Sequence, residues 1–446
     1  MSKYQAYPEY KDSEIEWLDD IPLNWSVCRL KQMLSSPMSY GANEAAERAI
    51  TSEPRYIRIT DMNNDGSLKN DTFRSLPWDV ANQYLLKDLD ILLARSGATV
   101  GKSFIYREDF GNCCYAGYLI KASCDPTKLN PEYAFWFFQS AQYWQYIAGS
   151  QIQATIQNVS AEKYGEMYLP LPSSINEQNH IAAFLDHETA KIDSLIEKQQ
   201  QLIELLKEKR QAVISHAVTK GLNPDAPIKD SGVEWLGEVP EHWVCCAIKY
   251  QLFSQDSRRI PLSSEERGKK HGEYRYYGAS GVIDFIDEYI FDESNVLVGE
   301  DGANLVNRNT PLAFAAHGKY WVNNHAHILK PLDGLADYWA EVIEIIDVNP
   351  MVSGSAQPKL TAEALNNLKI AFPLDIEERL SIESFIQVQK NKYDTLIKSA
   401  NTQVFLLKER RTALISAAVT GKIDVRNWVL PTTSSDTNEA TQEVTA

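Results

Sequence analysis

The chain has 446 residues, a length that suits two to four domains. Hydrophobic residues make up 44% of it, which is enough for packed cores and argues against a disordered chain. The net charge of −16 argues against a protein that simply coats DNA, because neutralising phosphates requires an excess of lysine and arginine.

The chain lacks the sequence signals of membrane insertion and of metal binding by cysteine. No apolar run approaches the roughly 20 residues that span a bilayer, and Met1–Gln5 leads into polar sequence without a secretory signal. We therefore expect a cytoplasmic protein with no membrane partner. None of the cysteines forms a C-x-x-C pair, so we expect reduced thiols and no zinc site.

Two blocks of the sequence occur twice, in the same order. Residues Lys11–Leu18 recur as Lys229–Leu236, and Ile21-Pro22 and Trp25 recur as Val239-Pro240 and Trp243. A second block, which includes Leu206–Arg210, recurs without gaps 201 residues later over about sixty residues. The inserts between the blocks, 26–159 and 244–360, do not align. The sequence therefore predicts a duplicated frame that carries two dissimilar inserts.

The inserts are predicted to be β-rich. Short strands are expected at 56–60 and 90–95 in the first insert and near 276–283, 295–304 and 321–327 in the second. Their loops carry side chains that suit base edges and phosphates, although an ordinary surface turn is the favoured alternative for any single residue. The candidate DNA contacts are Arg58, Thr60, Asn63, Asn64, Arg95, Ser96, Lys102, Arg275, Tyr277, Ser280, Asn304, Arg308, Asn323 and Asn324.

The second block predicts a long helix in each copy. Ser174-x-x-Glu177 has the form of a capping box, and Asp375-x-x-Glu378 is its counterpart. Each helix is expected to cover about 40 to 45 residues, or roughly 60 to 68 Å. Apolar stripes predict an antiparallel two-helix coiled coil that holds the inserts at opposite ends and on one side of a duplex. Its predicted contacts are Ile192, Leu195, Leu202, Leu206, Val213, Tyr393, Leu396, Val404, Leu407 and Leu414.

No catalytic or metal-binding constellation is found. Gly97–Ser103 has only three residues between its glycines and leads into a predicted strand, so we reject a nucleotide-binding loop. His325-x-His327 with His317 lacks a fitting carboxylate or cysteine. No Asn-Pro-Pro-Tyr-like motif of an adenine methyltransferase is present.

These features resemble the specificity subunit of Type I restriction-modification enzymes over roughly residues 11–424. The resemblance rests on Glu16-Trp17-Leu18 with Ile21-Pro22 and Trp25, on Pro170-Leu171-Pro172, and on the Lys-Glu-Lys-Arg and Lys-Glu-Arg-Arg helix ends. It implies an α+β fold with two target-recognition domains joined by two long helices. The expected bounds are recognition domains over 1–172 and 223–373, helices over 173–222 and 374–425, and a disordered tail over 426–446.

The resemblance also implies a non-catalytic subunit of a phage-defence system that reads an asymmetric, two-part DNA sequence. Its implied partners are double-stranded DNA, two methyltransferase subunits and restriction-translocase subunits. S-adenosylmethionine, ATP and Mg²⁺ belong to those partners, and no cofactor is expected on this chain. Because the chain is acidic, we expect it to bind DNA weakly alone. The alternatives are a nucleotide hydrolase that uses Lys102 and a purely structural coiled-coil adaptor.

Overall fold

A computed structural model describes residues 4–63, 66–97, 99–150, 158–354 and 357–431. The chain forms two compact units. Unit 1 comprises Met1–Gln199 with Thr402–Ala446, and unit 2 comprises Gln200–Asn401. Both units combine short strands with one half of each of two long helices. The α+β class that the sequence predicts is therefore confirmed.

Unit 1 contains ten strands and five helices among its described residues, counting the long helix that starts in it. The strands are β1 (Tyr10–Asp12), β2 (Asp20–Pro22), β3 (Ser26–Arg29), β4 (Ser39–Tyr40), β5 (Arg55–Ile57), β6 (Ile91–Ala94), β7 (Ser103–Ile105), β8 (Cys113–Tyr115), β9 (Leu119–Ala122) and β10 (Tyr168–Leu171). The helices are α1 (Trp78–Ala81), α2 (Pro131–Phe137), α3 (Ala141–Gly149), α4 (Ala161–Glu166) and α5 (Ile175–Lys220).

Unit 2 contains twelve strands in the part of the chain that the structure describes. They are β11 (Ile228–Asp230), β12 (Glu238–Pro240), β13 (Trp243–Ala247), β14 (Leu252–Ser254), β15 (His271–Gly278), β16 (Gly281–Ile286), β17 (Phe291–Asp292), β18 (Asn295–Gly299), β19 (Ala313–Ala316), β20 (Lys319–Val322), β21 (Ala326–Pro331) and β22 (Lys369–Pro373). Its helices are α6 (Ser264–Gly268), α7 (Asn304–Asn307), α8 (Ala336–Glu344), α9 (Ala362–Asn367) and α10 (Ile376–Val419).

The two inserts share one sheet plan, which the sequence did not reveal. In unit 1 a four-stranded antiparallel sheet has the order β4-β9-β6-β7, and β5 pairs with β8 in parallel. In unit 2 the corresponding sheet has the order β14-β21-β18-β19, and β15 pairs with β20 in parallel. Strands β16 and β17 are additional in unit 2. The inserts are therefore two versions of one fold.

The two long helices run antiparallel within each unit. In unit 2, Arg210 of α5 pairs with Asp394 of α10, and Gly221 at the end of α5 lies beside Glu378 at the start of α10. In unit 1, Asp193 of α5 pairs with Arg411 of α10. Apolar packing along the seam stabilises such long helices more than helix propensity does.

The buried seam of these helices follows heptad spacing, in alternating steps of four and three residues. Positions of low exposure recur in α5 at 192, 196, 199, 203, 206, 210 and 213, and in α10 at 393, 397, 400, 404, 407, 411 and 414. The coiled coil that the sequence predicts is therefore confirmed. The predicted contacts Ile192 and Tyr393 are buried. Those at partly exposed positions are Leu206, Val213, Val404, Leu407 and Leu414.

Three predicted seam residues are wrong, because Leu195, Leu202 and Leu396 are 48%, 42% and 42% exposed.

The start of the expected disordered tail also differs from prediction. Trp428 packs edge-on against Phe184 with ring centroids 5.5 Å apart, while residues 432–446 lie outside the described residues. Within the described ranges, no helix is both long enough and apolar enough to cross a bilayer.

Candidate nucleic-acid interface

The part of each unit outside the long helices is here called its lobe. A tryptophan and a glutamate connect each lobe to the start of a long helix. The Trp25 indole N–H donates to Glu177 Oε1 at 3.0 Å, and the Trp243 indole N–H donates to Glu378 Oε1 at 2.9 Å. Ser174 does accept the Glu177 backbone N–H at 3.2 Å, as the predicted cap requires. The carboxylate of Glu177, however, binds Trp25 in place of closing a capping box.

An ion pair between the long helices is repeated in the same way. Asp193 binds Arg411 at 2.9 Å in unit 1, and Asp394 binds Arg210 in unit 2. The partners of one pair are the partners of the other shifted by 201 residues. The frame is thus duplicated in its contacts as well as in its sequence, and each copy holds its own lobe.

The lobe of unit 1 has a pocket of about 490 Å³ at one edge of its sheet. Three of the candidate DNA contacts, Arg58, Thr60 and Ser96, line it together with Tyr118, whose side chain is 63% exposed. The pocket is open to solvent and combines an aromatic ring with hydroxyl and guanidinium donors. Such a surface can bind a planar polar group.

The cationic candidates of unit 1 differ in what they already bind. Arg58 makes two hydrogen bonds to the buried carboxylate of Asp61, at 2.7 and 2.9 Å, and Lys102 donates to the Met62 carbonyl oxygen at 2.9 Å. The guanidinium of Arg95 instead stacks on the Tyr40 ring, 4.7 Å from its centroid. Its Nε is buried without a hydrogen-bond partner, and no ion pair of Arg95 is found among the described residues. Arg95 therefore retains donors for an external acceptor.

The remaining candidates of unit 1 are polar loop residues. Thr60 is exposed and Ser96 is half-buried. The Asn63 amide donates to Ser67 Oγ at 2.9 Å and closes its own turn. The candidate Asn64 lies outside the described residues.

In unit 2 the structure separates surface candidates from internal ones. Arg275, Ser280 and Asn324 are exposed. Tyr277 is 5% exposed and packs against Phe314 and Tyr320, so its ring belongs to the core.

Three further candidates of unit 2 bind groups of the protein itself. Asn323 is buried and accepts the His325 backbone N–H at 2.8 Å. Asn304 accepts the Thr310 N–H and thereby caps its own loop, and Arg308 binds the Glu344 carbonyl oxygen. These contacts fix loops, a role that the residue types alone did not distinguish from DNA contact.

A charged cluster lies in unit 2 at the point equivalent to Arg95. Glu300 occupies this position, because its carbonyl accepts the Leu360 N–H just as the Arg95 carbonyl accepts the Val159 N–H. Glu300 binds Arg259 and Lys359. The two lobes therefore present opposite charges at one place in a shared fold, and in unit 2 that charge is neutralised internally.

The buried His327 belongs to this cluster. Its Nδ1 lies 2.6 Å from Asp256 and its Nε2 lies 2.9 Å from the Leu360 carbonyl oxygen, an arrangement in which both ring nitrogens donate. Burial opposes the charged imidazolium, but Asp256 and Glu300 outweigh it and raise the pKa of His327 above its usual value. Those contacts also lower the pKa of Asp256 despite its burial.

The geometry does not favour a nucleotide or metal site. The segment after Lys102 is the strand β7 and not a helix, so a phosphate cradle at a helix N-terminus is absent there. The histidines 325 and 327 bind Asp301 and Asp256, respectively, and no group of metal-binding side chains is found in the described ranges. Burial raises the pKa of Cys113, Cys114 and Cys124 to about 12, as expected of unreactive thiols.

Comparisons with known proteins agree with this architecture. Two stretches of the chain, residues 22–205 and 241–414, match the model of the Type I restriction modification DNA specificity domain. One similar chain comes from a type I R-M system that was solved to study complex assembly and conformational transition. It has a TM-score of 0.69 at 13% identity, and the alignment covers 90% of this chain and 99% of that chain. The HsdS subunit from Thermoanaerobacter tengcongensis has a TM-score of 0.50 at 14% identity and covers 90% and 98%.

Two curated relatives are similar over shorter stretches. A putative type I restriction enzyme specificity subunit of Haemophilus influenzae is 30% identical over 120 residues, which are 26% of this chain and 30% of the relative. The StySPI specificity subunit of Salmonella potsdam is 31% identical over 150 residues, which are 33% and 32% of the two chains. The matched stretches thus span about a third of the relatives' length. Because the family model covers most of the chain, the protein belongs to the family that carries the Type I restriction modification DNA specificity domain.

Proposed function

We propose that this chain is the non-catalytic specificity subunit of a Type I restriction-modification complex. Each lobe reads one half of an asymmetric, two-part DNA sequence, and the paired long helices set the distance between the halves. The observation that carries the proposal is the duplicated frame, with its repeated Trp–Glu contacts, around two lobes of one sheet plan and different surfaces. A purely structural adaptor would not need two different lobes at equivalent places.

The duplication also bears on the partners. Leu195 and Leu205 are exposed on α5, and their equivalents Leu396 and Leu406 are exposed on α10. Exposed apolar positions that recur after 201 residues suit two copies of one partner. We assign these partners as two methyltransferase subunits, with restriction-translocase subunits in the complete complex. S-adenosylmethionine, ATP and Mg²⁺ then bind the partner subunits. The complex works in the cytoplasm, where the DNA lies.

Mapping methyladenine in a host genome tests the proposal. The full chain is co-expressed with its methyltransferase subunit in a host that lacks other adenine methylation. The expected result is one split, non-palindromic motif with a fixed gap. Replacing residues 26–159 by the corresponding insert of another family member should change one half of the motif and leave the other half and the gap unchanged.

Two results would contradict the proposal. Methylation at an uninterrupted motif would remove the need for two lobes, and an insert exchange without effect on the motif would favour the structural adaptor.

A chain that carries Lys102→Ala serves as the control for the nucleotide-hydrolase alternative. We expect the isolated chain to hydrolyse ATP only at the background rate, and Lys102→Ala to leave that rate unchanged.

A further inference from the structure

The lobes differ most clearly where unit 2 adds strands to the shared sheet plan. In unit 1 the chain passes from β5 to β6 through a loop and the short helix α1. In unit 2 the equivalent stretch, between β15 and β18, contains β16 and β17. Strands β15 and β16 form an antiparallel hairpin over His271–Ile286, here called the reading ribbon. Added elements of this kind are one place where two lobes of one fold can differ in the sequence they read.

Strand β16 of the reading ribbon carries apolar side chains that are about half exposed. Val282, Ile283 and Phe285 are 42%, 52% and 51% exposed, whereas Tyr276 and Ile286 of the same hairpin are fully buried. Strand β16 lies at the edge of its sheet. Edge strands of proteins that act alone usually carry charges or prolines that prevent association. An edge with three exposed apolar side chains is therefore an interaction surface.

The ribbon also carries an uncommitted arginine. Arg275 lies directly opposite Phe285 in the strand register and is exposed. In the described part of unit 2, every other arginine binds a carboxylate or a carbonyl oxygen of the protein, as Arg258, Arg267 and Arg379 illustrate. Arg275 has no such partner among the described residues.

Two acidic side chains near Arg275 already bind other cations. Asp284 binds Arg267 at 3.2 Å, and Glu288 binds Lys270 at 2.7 Å. The ribbon is also held firmly from below, because the Tyr276 hydroxyl accepts the Leu262 N–H and the Arg267 guanidinium lies over the Tyr276 ring. An exposed arginine without an internal partner beside an apolar edge suits an occupant that offers both an acceptor and an apolar group.

The major groove of DNA meets both requirements. It admits a two-stranded β-ribbon, guanine presents O6 and N7 to arginine, and thymine presents a methyl group to apolar side chains. We propose that the reading ribbon enters the major groove of the half-site read by unit 2, where Arg275 binds a guanine and Phe285, its partner in the strand register, contacts the methyl group of a nearby thymine. The inference rests on the proposed function and names the element and bases that unit 2 uses.

Methylation mapping with the intact complex provides the first test. The half of the motif assigned to unit 2 should contain a guanine and a thymine. Arg275→Gln should lower methylation of the cognate site by about 5- to 100-fold and relax selection at the guanine only. Arg275→Lys keeps the charge but loses the two-pronged geometry, so it should also relax selection there.

Base analogues provide the second test. The wild-type complex should bind a duplex in which uracil replaces the contacted thymine several-fold more weakly than the thymine duplex, because the methyl group is missing. Phe285→Ser should abolish that difference. Phe253→Ser is the matched control, since Phe253 is a 64% exposed strand residue of the same unit, and it should leave the difference intact.

The outcomes separate this inference from the proposed function. A split motif that ribbon variants leave unchanged would overturn the ribbon assignment but not the specificity role. Variants that weaken binding of the methyltransferase without changing the motif would make the ribbon a protein-docking edge and also overturn it. Failure of the wild-type chain to direct methylation to any split motif would instead overturn the proposed function. Unchanged thermal unfolding of the variants establishes that each one folds.

Discussion

At the scale of single residues, the structure separates side chains that serve the fold from those that remain available. Arg58, Arg308 and Asn323 have the residue types expected of DNA contacts, but each binds another part of its own lobe. Arg95 and Arg275 do not. Because an arginine held by an internal carboxylate has fewer donors left for a base, arginines without an internal partner are the better candidates.

The buried His327 makes a testable contribution to stability. Its folded pKa is raised by Asp256 and Glu300, so its stabilising effect is complete below the unfolded pKa of about 6.5 and is lost as the pH rises through the folded pKa. The pKa values of Asp256 and Glu300 are lowered, so their effect is lost as the pH falls through those values. We expect His327→Gln to cost about 2 kcal/mol near pH 6.

Urea unfolding of the purified chain between pH 4 and 9 measures this effect. The free-energy difference between wild type and His327→Gln should narrow as the pH is raised through the folded pKa of His327. His317→Gln removes an exposed imidazole from the same unit and should give a profile parallel to that of the wild type. A constant difference between wild type and His327→Gln across the range would contradict the assignment of a charged, buried histidine.

Two equivalent glycines at the ends of the long helices provide a second prediction. Gly221 and Gly421 both have positive φ, +74° and +72°. A Cβ at Gly421 would lie 2.3 Å from Pro22 Cγ, whereas one at Gly221 would meet nothing closer than Trp243 at 3.4 Å. Gly221→Ala should therefore cost about 1 to 2 kcal/mol from backbone strain alone, and Gly421→Ala should cost clearly more. Thermal unfolding compares the two, and equal losses would show that Pro22 yields without cost.

At the scale of elements, the seam between the long helices gives a sharp comparison of two neighbours. Ile203 is 6% exposed and Leu202 is 42% exposed. Ile203→Ala should cost about 2 to 4 kcal/mol, because it leaves a cavity in the seam, while Leu202→Ala should cost less than about 1 kcal/mol. Urea unfolding at one pH measures both variants. The reverse order would place Leu202 in the seam and refute this register.

The elements also show what a sequence can and cannot predict. The long helices and the frame were predictable, because apolar spacing and the repeat persist over sixty residues. The seam register was not, since Leu202 and Ile203 are both apolar and either one fits an apolar stripe along the helix. The shared sheet plan was hidden as well: strands need a buried face rather than particular residues, so Ile120 of β9 and His327 of β21 occupy equivalent register positions.

The sequence predicted which residue types the interface contains. It did not predict which of these side chains already bind another group of the protein. Arg95 and Arg275 were among the candidates, yet nothing in the sequence distinguished them from Arg58 or Arg308. That distinction depends on which carboxylate or carbonyl the fold brings within reach. The Glu177 and Glu378 contacts to tryptophan were missed for a related reason, although the signal was present: in both copies the tryptophan and the glutamate recur together.

At the scale of the whole molecule, the charge of −16 constrains how the chain meets DNA. Affinity for a duplex comes largely from phosphate contacts, and the slope of its salt dependence is proportional to their number. Within the described residues most lysines and arginines of the lobes bind acidic or carbonyl partners, as Arg58 and Arg259 do. The lobes thus offer few cations for phosphates, while Arg95 and Arg275 remain for base edges. If the proposed function is right, the methyltransferase subunits supply most of the phosphate contacts.

This division of labour predicts a difference in salt dependence. The isolated chain should bind a duplex that contains its target weakly, with a dissociation constant of about 1 μM or higher at physiological salt. A plot of log affinity against log salt concentration should have a slope of magnitude below about 3 for the isolated chain and above about 6 for the complex with the methyltransferase. Fluorescence anisotropy with one labelled duplex measures both, and a scrambled duplex is the control. Nanomolar, sequence-specific binding by the isolated chain would show that its own surface neutralises the phosphates, and the inference from its acidity would fail.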